Sequence, residues 1–482
     1  MASLNNHIKI HEQCKVAPHS STQLSLPLTF FDLIWLRFHP VERIFFYTLP
    51  NSESHPSFFF HNLVPKLKTS LSLTLQHFLP LAGNIVWPSD SPKPFIQFNP
   101  NDDGVSLLLA QSDDDIDFNK ILEHNSPQEA SLSRSFVPDL ESTDSFASII
   151  SIQITLFPKS GFSIGISTHH AVLDGKSSTM FVKAWASICK SLEETKAPTL
   201  EPFLEPFLER EVIKDPKDLE NVFINTWNRI SSHFDRSNVR SIKIMSNMFQ
   251  PIIKDSVRAT FELTRADLEK LNKSILSKWN NVVEEAQEQE QEHPKKLSSF
   301  VLTCSYVSVC IAKAIQQSES DKRQKFSFGF PVDCRDRLDH PIPENYFGNC
   351  VTNHIVDTEP EDFTKEDGMV IVAKKIYDKI KKMDKGSVLD GLDTFMFKLM
   401  AMFGEGVKGM GVAGSTRFGV YEIDFGFGKP EKVEITSIDR GLTIGLTESK
   451  DLKGGVEVGL VLDKNVMDLF HTIFHEGISF DS

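Results

Sequence analysis

Two adjacent histidines, His169 and His170, end an apolar stretch that begins at Phe162. The stretch is rich in Ile and other strand formers, and Asp174 with Gly175 follows the histidines as a turn signal. This pattern places polar side chains at the end of a buried strand. An imidazole has an ordinary pKa of about 6.5, so it can accept and return a proton near neutral pH. His170 is therefore our candidate general base.

The spacing of His170 and Asp174 carries little weight by itself, because a chain with 16 histidines can contain it by chance. His170 is nevertheless the only histidine with an aspartate four residues later, and its setting between an apolar stretch and an Asp-Gly turn is specific. From these residues alone, a histidine of the protein core is an equal alternative.

Three further stretches stand in a fixed order around the histidines. They are Leu26–Asp32 with Trp35, Pro80–Asn84 and Asp424–Gly428. With His170–Gly175 they resemble the signatures of the BAHD acyltransferases, plant enzymes that move an acyl group from coenzyme A to an alcohol or amine. The resemblance spans nearly the whole chain, with one departure: Phe427 stands where the family usually has Trp.

The resemblance implies a mixed α/β fold of two similar domains, each a mixed β-sheet with flanking helices, with the active site between them. A length of 482 residues also predicts two or three domains. We place an N-terminal acyltransferase domain at residues 1–193 and a C-terminal one at 219–482. The proline-containing segment 194–218 would be the crossover linker between them.

Periodicity predicts the elements that position these residues. A hairpin of strands 147–157 and 162–168 would carry the histidines out, and a helix over 178–192 would follow. Elsewhere we predict a surface loop over 284–296, a helix over 362–383 and a strand over 417–423. The other predicted helices are 61–78, 265–279, 298–315, 392–403 and 464–476, and the other strands are 95–98, 105–110, 257–263, 326–332, 433–438, 442–446 and 456–462.

Composition limits the partners. A net charge of −14 argues against nucleic acid and against an anionic membrane surface. Six scattered cysteines without a Cys-x-x-Cys pair fit reduced thiols and no metal site. The first residues lack the apolar core of a signal peptide, and no run approaches the ~18 apolar residues that span a membrane. We therefore expect a cytoplasmic protein.

The resemblance implies a role for each signature residue. His170 would take the acceptor's proton directly and return it to the thiolate of coenzyme A. Asp174 would be structural and paired with Arg335 of the other half, although a triad in which Asp174 orients the imidazole is the alternative. Asp424 and Gly426 would be residues of the fold and of the cofactor pocket.

Donor binding needs local positive charge, because coenzyme A is polyanionic. The resemblance points to Ser298 and Ser299 at the start of a helix, with Lys295 and Lys296 just before it. Solvated lysines closing an acidic loop are the alternative for these two cations. We expect acyl-coenzyme A as a co-substrate and no permanently bound cofactor.

The stretch Tyr346–Cys350 resembles a segment of the family branch that acylates anthocyanin, flavonoid and other phenolic glucosides, often with malonyl-coenzyme A. Lys176 is our candidate for the free malonyl carboxylate. The resemblance implies a monomer acting as an O-malonyltransferase on a sugar hydroxyl. A hydroxycinnamoyl donor is the nearest alternative; a serine esterase and a non-catalytic binding protein are more remote.

Three other patterns are weaker. Ser163 lies in a Gly-x-Ser-x-Gly pattern, but an apolar strand continues after it, whereas a nucleophile elbow needs a helix there. The stretch Gly404–Gly409 matches a dinucleotide fingerprint but follows a helical pattern, so we predict a flexible loop. His471 and His475 have metal-ligand spacing on a helix, and we interpret them as ordinary helix residues.

Overall fold

A computed structural model describes residues 7–192, 195, 198–234, 240–245, 255–281, 293–319, 324–383 and 387–479. Strands and helices follow one another without strict alternation. The strands are β1 Ile8–Val16, β2 Leu24–Pro27, β3 Val41–Thr48, β4 Asn84–Val86, β5 Phe95–Phe98, β6 Val105–Ser112, β7 Gln128–Glu129, β8 Phe146–Ser148, β9 Ile150–Phe157, β10 Gly161–Thr168, β11 Ser256–Leu263, β12 Phe326–Asp333, β13 Val351–Ile355, β14 Lys408–Ser415, β15 Lys432–Ile435, β16 Leu442–Glu448 and β17 Val456–Asp463. The helices are α1 Phe30–Leu33, α2 Pro56–Phe58, α3 Val64–Leu75, α4 Leu79–Ala82, α5 Phe118–Leu122, α6 Ala130–Arg134, α7 Gly175–Ser191, α8 Leu219–Phe234, α9 Arg265–Lys278, α10 Ser299–Ser318, α11 Gly368–Lys381, α12 Leu392–Gly404 and α13 Lys464–Ser479.

Two large sheets form the two halves of the molecule. The first has the order β1-β6-β9-β10-β3-β15 and the second the order β13-β12-β14-β16-β17-β11-β7. A smaller sheet, β2-β5-β4-β8, belongs to the first half. Parallel pairs, β6 with β9 and β14 with both β12 and β16, occur among antiparallel ones. The mixed α/β fold is confirmed.

The predicted hairpin is formed by β9 and β10, and β10 lies in the middle of the first sheet. The first predicted strand, 147–157, is divided in two: its start belongs to β8, which pairs with β4 in the smaller sheet, and the rest is β9. All eight residues of β10 are buried, and Thr168 pairs with Ile150 on one side and Val41 on the other. The histidines therefore emerge where a doubly paired strand ends. Ser163 is fully buried within β10, so the nucleophile-elbow pattern has no structural counterpart.

The two halves exchange short strands. β15 comes from the second half of the chain but pairs with β3 at the edge of the first sheet. In return, β7 from the first half pairs with β11 at the edge of the second sheet. Each of the two large sheets thus contains one strand from the other side of the predicted linker at 194–218.

The helix α10 is the central helix of the second half. Its length and composition would suffice to cross a membrane, yet 78% of its apolar window is buried inside the protein. Burial of this extent is typical of a core helix.

Four predictions need correction or lie partly outside the described residues. The strand predicted over 433–438 ends at Ile435, and a 3₁₀ turn occupies Thr436–Asp439. The strand predicted over 417–423 is wrong, because the preceding strand β14 ends at Ser415 and a 3₁₀ turn occupies Val420–Glu422. The helix predicted from residue 362 begins at Gly368, because Asp362 instead accepts the backbone N–H of Glu359 in a preceding turn. Of the surface loop predicted over 284–296, residues 284–292 are outside the described residues.

The glycine pattern at 404–409 spans the end of α12, a short turn and the start of β14. A dinucleotide fingerprint needs the opposite order, a strand followed by a helix. The pattern is therefore no nucleotide site, and the prediction that all of it is a loop is wrong at both ends.

Candidate active site

The His170 loop is a tight turn between β10 and α7. The N–H of His169 donates to the carbonyl of Ile149 at 2.8 Å, and the N–H of Val172 donates to the carbonyl of His169 at 3.0 Å. Asp174 then caps α7, its Oδ1 accepting the N–H of Ser177 at 2.8 Å. The end of the strand and the start of the helix thus fix both ends of the loop.

The imidazole of His170 stacks on the indole of Trp35, with ring centroids 3.9 Å apart and an interplanar angle of 6°. His170 as a whole is half-buried, and its Nδ1 is buried without a hydrogen-bond partner among the described residues. Burial lowers the pKa of His170 to about 4, although its own backbone and the charge of Asp174 act in the opposite direction. The ring is therefore neutral at physiological pH and can accept a proton.

His169 has a different environment. Its ring is fully buried, Nδ1 accepts the N–H of Ala171 at 3.2 Å, and burial lowers its pKa to about 3. No reactant can reach a side chain without exposed surface. The structure therefore favours His170 over His169 as the base.

The carboxylate of Asp174 is turned away from the imidazole. Its Oδ2 lies 2.9 Å from Nη2 of Arg335 and accepts the N–H of Cys350 at 3.1 Å. Both side chains are buried, with exposed fractions of 1% for Asp174 and 2% for Arg335. The contact predicted from the family resemblance is present, and the hydrogen bond that a triad would need is absent among the described residues.

Arg335 also reaches the exposed carboxylate of Asp333 at 3.0 Å and the carbonyl of Tyr346 at 3.2 Å. Burial alone would lower its pKa, but the charges of Asp174 and Asp333 outweigh burial, so the pKa lies above its ordinary value. Arg335 therefore remains charged and joins the helix cap of the first half to a segment of the second.

Asn349 and Asp32 complete the support of the loop, and the sequence analysis gave them no role. Nδ2 of Asn349 donates to the carbonyl of His170 at 2.8 Å and to Oδ1 of Asp32 at 3.0 Å. Asp32 in turn accepts the hydroxyl of Thr29 at 2.9 Å. Both residues lie in stretches that resemble family signatures, and this resemblance is the sequence signal that could have indicated their roles.

The second signature forms a turn that closes on itself. Oδ1 of Asp424 accepts the N–H groups of Gly426 and Gly428 at 2.8 and 3.1 Å, and Oδ2 accepts Lys190 of α7 at 2.6 Å. Burial raises the pKa of Asp424, but Lys190 and these N–H groups lower it by more than burial raises it. The pKa of Asp424 therefore lies below its ordinary value. Gly426 has φ +93°, a left-handed conformation that favours glycine. Phe427, which replaces the usual Trp, still places an aromatic ring there, and the ammonium of Lys66 lies 4.8 Å from the centroid of this ring.

The donor-binding candidates lie apart from one another. Lys176, on the first turn of α7, has a 35% exposed side chain and lies 3.3 Å from the carboxylate of Glu344. The other four candidates are at the start of α10 in the second half. They are the exposed Lys295, Lys296 and Ser298, whose hydroxyl accepts the N–H of Val301 at 3.3 Å, and the half-buried Ser299. The structure therefore brings together His170, Asp174 and Arg335, whereas the lysines form two separate groups.

Known proteins resemble this chain in sequence and in fold. The model of the Transferase family matches residues 6–476. Phenolic glucoside malonyltransferase 1 of Arabidopsis thaliana is 39% identical over 492 residues, covering 98% of this chain and 98% of that protein. Coumaroyl-CoA:anthocyanidin 3-O-glucoside-6''-O-coumaroyltransferase 1 of the same plant is 33% identical, covering 98% and 97%. Vinorine synthase, a solved structure, matches with a TM-score of 0.64 at 18% identity over 96% of each chain.

The sequence relatives place this chain among the acyltransferases. The chain belongs to the Transferase family, that of the BAHD acyltransferases, as the order of its motifs indicated. It is an acyl-coenzyme A-dependent acyltransferase, and acyl-coenzyme A is its co-substrate.

Proposed function

We propose that this enzyme transfers a malonyl group from malonyl-coenzyme A to a sugar hydroxyl of a phenolic, flavonoid-type glucoside. The observation that carries the mechanism is a neutral, half-buried imidazole at residue 170 whose neighbouring carboxylate is engaged elsewhere. The names of the relatives support the donor and the acceptor class.

One base serves both halves of the reaction. The imidazole of His170 takes the hydroxyl proton on Nε2 as the acceptor oxygen bonds to the thioester carbon. The tetrahedral intermediate then expels the thiolate of coenzyme A, and the imidazolium returns the proton to that sulfur. General-base catalysis of this kind contributes roughly 10²- to 10⁴-fold.

The side chains around His170 favour direct transfer over an acyl-enzyme. A cysteine nucleophile needs its thiolate form. Burial raises the pKa of Cys334 to about 12 and raises that of Cys350 well above its ordinary value. Ser163 is enclosed in β10. We therefore assign no nucleophile to the protein.

Two groups of lysines would hold the donor. The N-terminus of α10, with Lys295 and Lys296 before it and Ser298 and Ser299 at its start, can attract the phosphates of coenzyme A. Lys176 would meet the malonyl carboxylate, for which it must leave Glu344. This local charge would offset the net charge of −14 on the chain.

The second candidate donor is a hydroxycinnamoyl-coenzyme A, which the coumaroyltransferase relative favours. The purified enzyme is assayed with malonyl-, acetyl- and p-coumaroyl-coenzyme A against one flavonoid glucoside. We expect the highest kcat/KM with malonyl-coenzyme A. His170→Ala should lose turnover, and Ser163→Ala should keep the turnover of the wild type. Preference for the coumaroyl donor, or full turnover by His170→Ala, would contradict the proposal.

The state of the enzyme in the cell is also part of the proposal. We infer a cytoplasmic monomer without a bound metal or permanent cofactor. The described cysteines are all free thiols, which fits a reducing compartment. Gel filtration with light scattering and metal analysis of the purified protein test these statements.

A further inference from the structure

Arg210 is a buried cation in the crossover between the two halves. It is 5% exposed, and its Nη1 donates to the hydroxyl of Tyr346 at 2.6 Å. The guanidinium carbon lies 5.2 Å from the centroid of the same ring. Nε and Nη2 are buried and have no hydrogen-bond partner among the described residues. Since burying a cation costs free energy unless it is paired, this arrangement requires a further reason.

The reason is found in the charges beneath the active-site loop. Two carboxylates are buried there, those of Asp32 and Asp174. Arg335 contacts Asp174 directly, whereas Asp32 has no cation within 4.0 Å among the described residues. Burial lowers the pKa of Arg210, but Tyr346, Asp32 and Asp174 outweigh burial and raise it. Arg210 is therefore a second buried cation in the surroundings of these two carboxylates.

Arg210 also fills space beside the main chain of residue 348. A Cβ placed on Gly348 would lie 1.7 Å from Nη1 of Arg210. Gly348 is not among the glycines with positive φ, so its backbone conformation does not require glycine. A side chain at 348 would instead have to displace the guanidinium of Arg210. The position of the chain at 348 and the position of the guanidinium are therefore coupled.

Main-chain hydrogen bonds extend this coupling along the crossover. The N–H of Phe207 donates to the carbonyl of Asn345, and the N–H of Phe347 donates to the carbonyl of Phe207, each at 2.9 Å. Two residues beyond Phe347, Asn349 donates to the carbonyl of His170. Only Gly348 separates Phe347, which is bonded to the crossover, from Asn349, which is bonded to the backbone of the base.

We propose that Arg210 is a positioning residue for the transfer reaction. It fixes residues 346–349 so that Asn349 holds the carbonyl of His170 and, through it, the imidazole. Arg210 acts through Asn349, and it contacts neither substrate. The kinetic part of the proposal rests on the proposed function, whereas its effect on the chain at 345–350 can be measured without turnover.

The test replaces Arg210 by a side chain of similar length without charge. We expect Arg210→Met to lower kcat about 100-fold, the size of effect that a small misplacement produces, with KM for both substrates unchanged. Arg210→Lys, which keeps the charge, should recover part of the loss. Arg240→Met is the control for loss of an arginine over an aromatic ring, because the exposed Arg240 lies over Trp87 at 5.7 Å and does not contact the His170 loop among the described residues.

Hydrogen exchange read by mass spectrometry reports on the same coupling without substrate. In Arg210→Met the amides of residues 345–350 should exchange at least tenfold faster, while those of β9 and β10 keep their protection. Should that variant fail to fold, Tyr346→Phe removes the hydroxyl partner alone and should accelerate the same amides less. Absence of turnover in the wild type would refute the proposed substrates, and exchange would still decide the role of Arg210.

A double mutant tests the steric part. Gly348→Ala should lower kcat in the wild-type background but have little further effect when Arg210 is Ala, because the clash needs the guanidinium. The proposal is overturned by wild-type kcat in Arg210→Met, by a loss confined to KM, by unchanged exchange at 345–350, or by additive effects of the two substitutions.

Discussion

Replacing Asp174 by Asn should destabilise the enzyme strongly while leaving catalysis largely intact. The asparagine keeps an oxygen for the N–H of Ser177 but removes the negative charge that faces Arg335 at 2.9 Å. An arginine guanidinium is effectively always protonated, so Arg335 stays charged when the carboxylate of Asp174 is removed. Removing one partner of a buried ion pair costs about 3–5 kcal/mol, and we expect Asp174→Asn to fall in this range.

The same guanidinium provides the control. Asp333 lies 3.0 Å from Arg335, but its side chain is 48% exposed, and exposed pairs contribute about 0–1 kcal/mol. The losses in the free energy of unfolding by urea of Asp174→Asn and Asp333→Asn, followed by tryptophan fluorescence, should therefore differ by at least ~2 kcal/mol. We expect kcat of folded Asp174→Asn within about tenfold of the wild type, since its carboxylate does not contact the imidazole.

Two results would refute this reasoning. Equal destabilisation by the two substitutions would mean that burial does not set the strength of the pair. Loss of kcat by more than about a thousandfold in Asp174→Asn, at an unchanged urea midpoint, would mean that the carboxylate orients the base as in a triad.

Three further predictions concern the base and the donor. Because its lowered pKa keeps His170 neutral until the pH falls to about 4, kcat/KM should be level from pH 6 upward and decline only at lower pH. A pH–rate profile with its midpoint at the ordinary histidine pKa of about 6.5 would contradict this. Lys176→Ala should lower the ratio of kcat/KM for malonyl- over acetyl-coenzyme A about tenfold, whereas Glu344→Gln should not; an equal loss for both donors rules out the role of Lys176. Replacing Lys295 and Lys296 together by Ala should raise KM for the donor about tenfold at low salt and less at high salt, and a loss in kcat alone would exclude phosphate binding there.

Local patterns in the sequence predicted the elements around the base. The hairpin of β9 and β10 follows from two Ile-rich runs joined by four residues that end in Gly161, and burial of both strands reinforces the local preference. The strand β14 could not be read in the same way. It contains Gly409, Gly411 and Gly414, which lower strand propensity, and it is held instead by parallel pairing with β12 and β16.

The site was predictable to the extent that its residues lie in motifs. His170 and Asp174 stand in one such stretch, whereas Arg335 was named only because the family resemblance implies it, and the structure brings Asp174 and Arg335 into contact. Arg210 lies in no motif, and its partner Tyr346 is 136 residues away in the chain. Neither the charge balance beneath the loop nor the space beside Gly348 is encoded by local spacing, so only the folded chain reveals them.

The exchange of β7 and β15 limits how this enzyme can be recombined with its relatives. A hybrid joined within the crossover would pair an edge strand from one parent with a sheet from the other at two places, since β15 adds to β3 and β7 adds to β11. Functional hybrids should therefore be those in which each short strand comes from the same parent as the sheet that it completes. The segments β7 and β15, and not the crossover alone, define the units that evolution or an engineer can exchange.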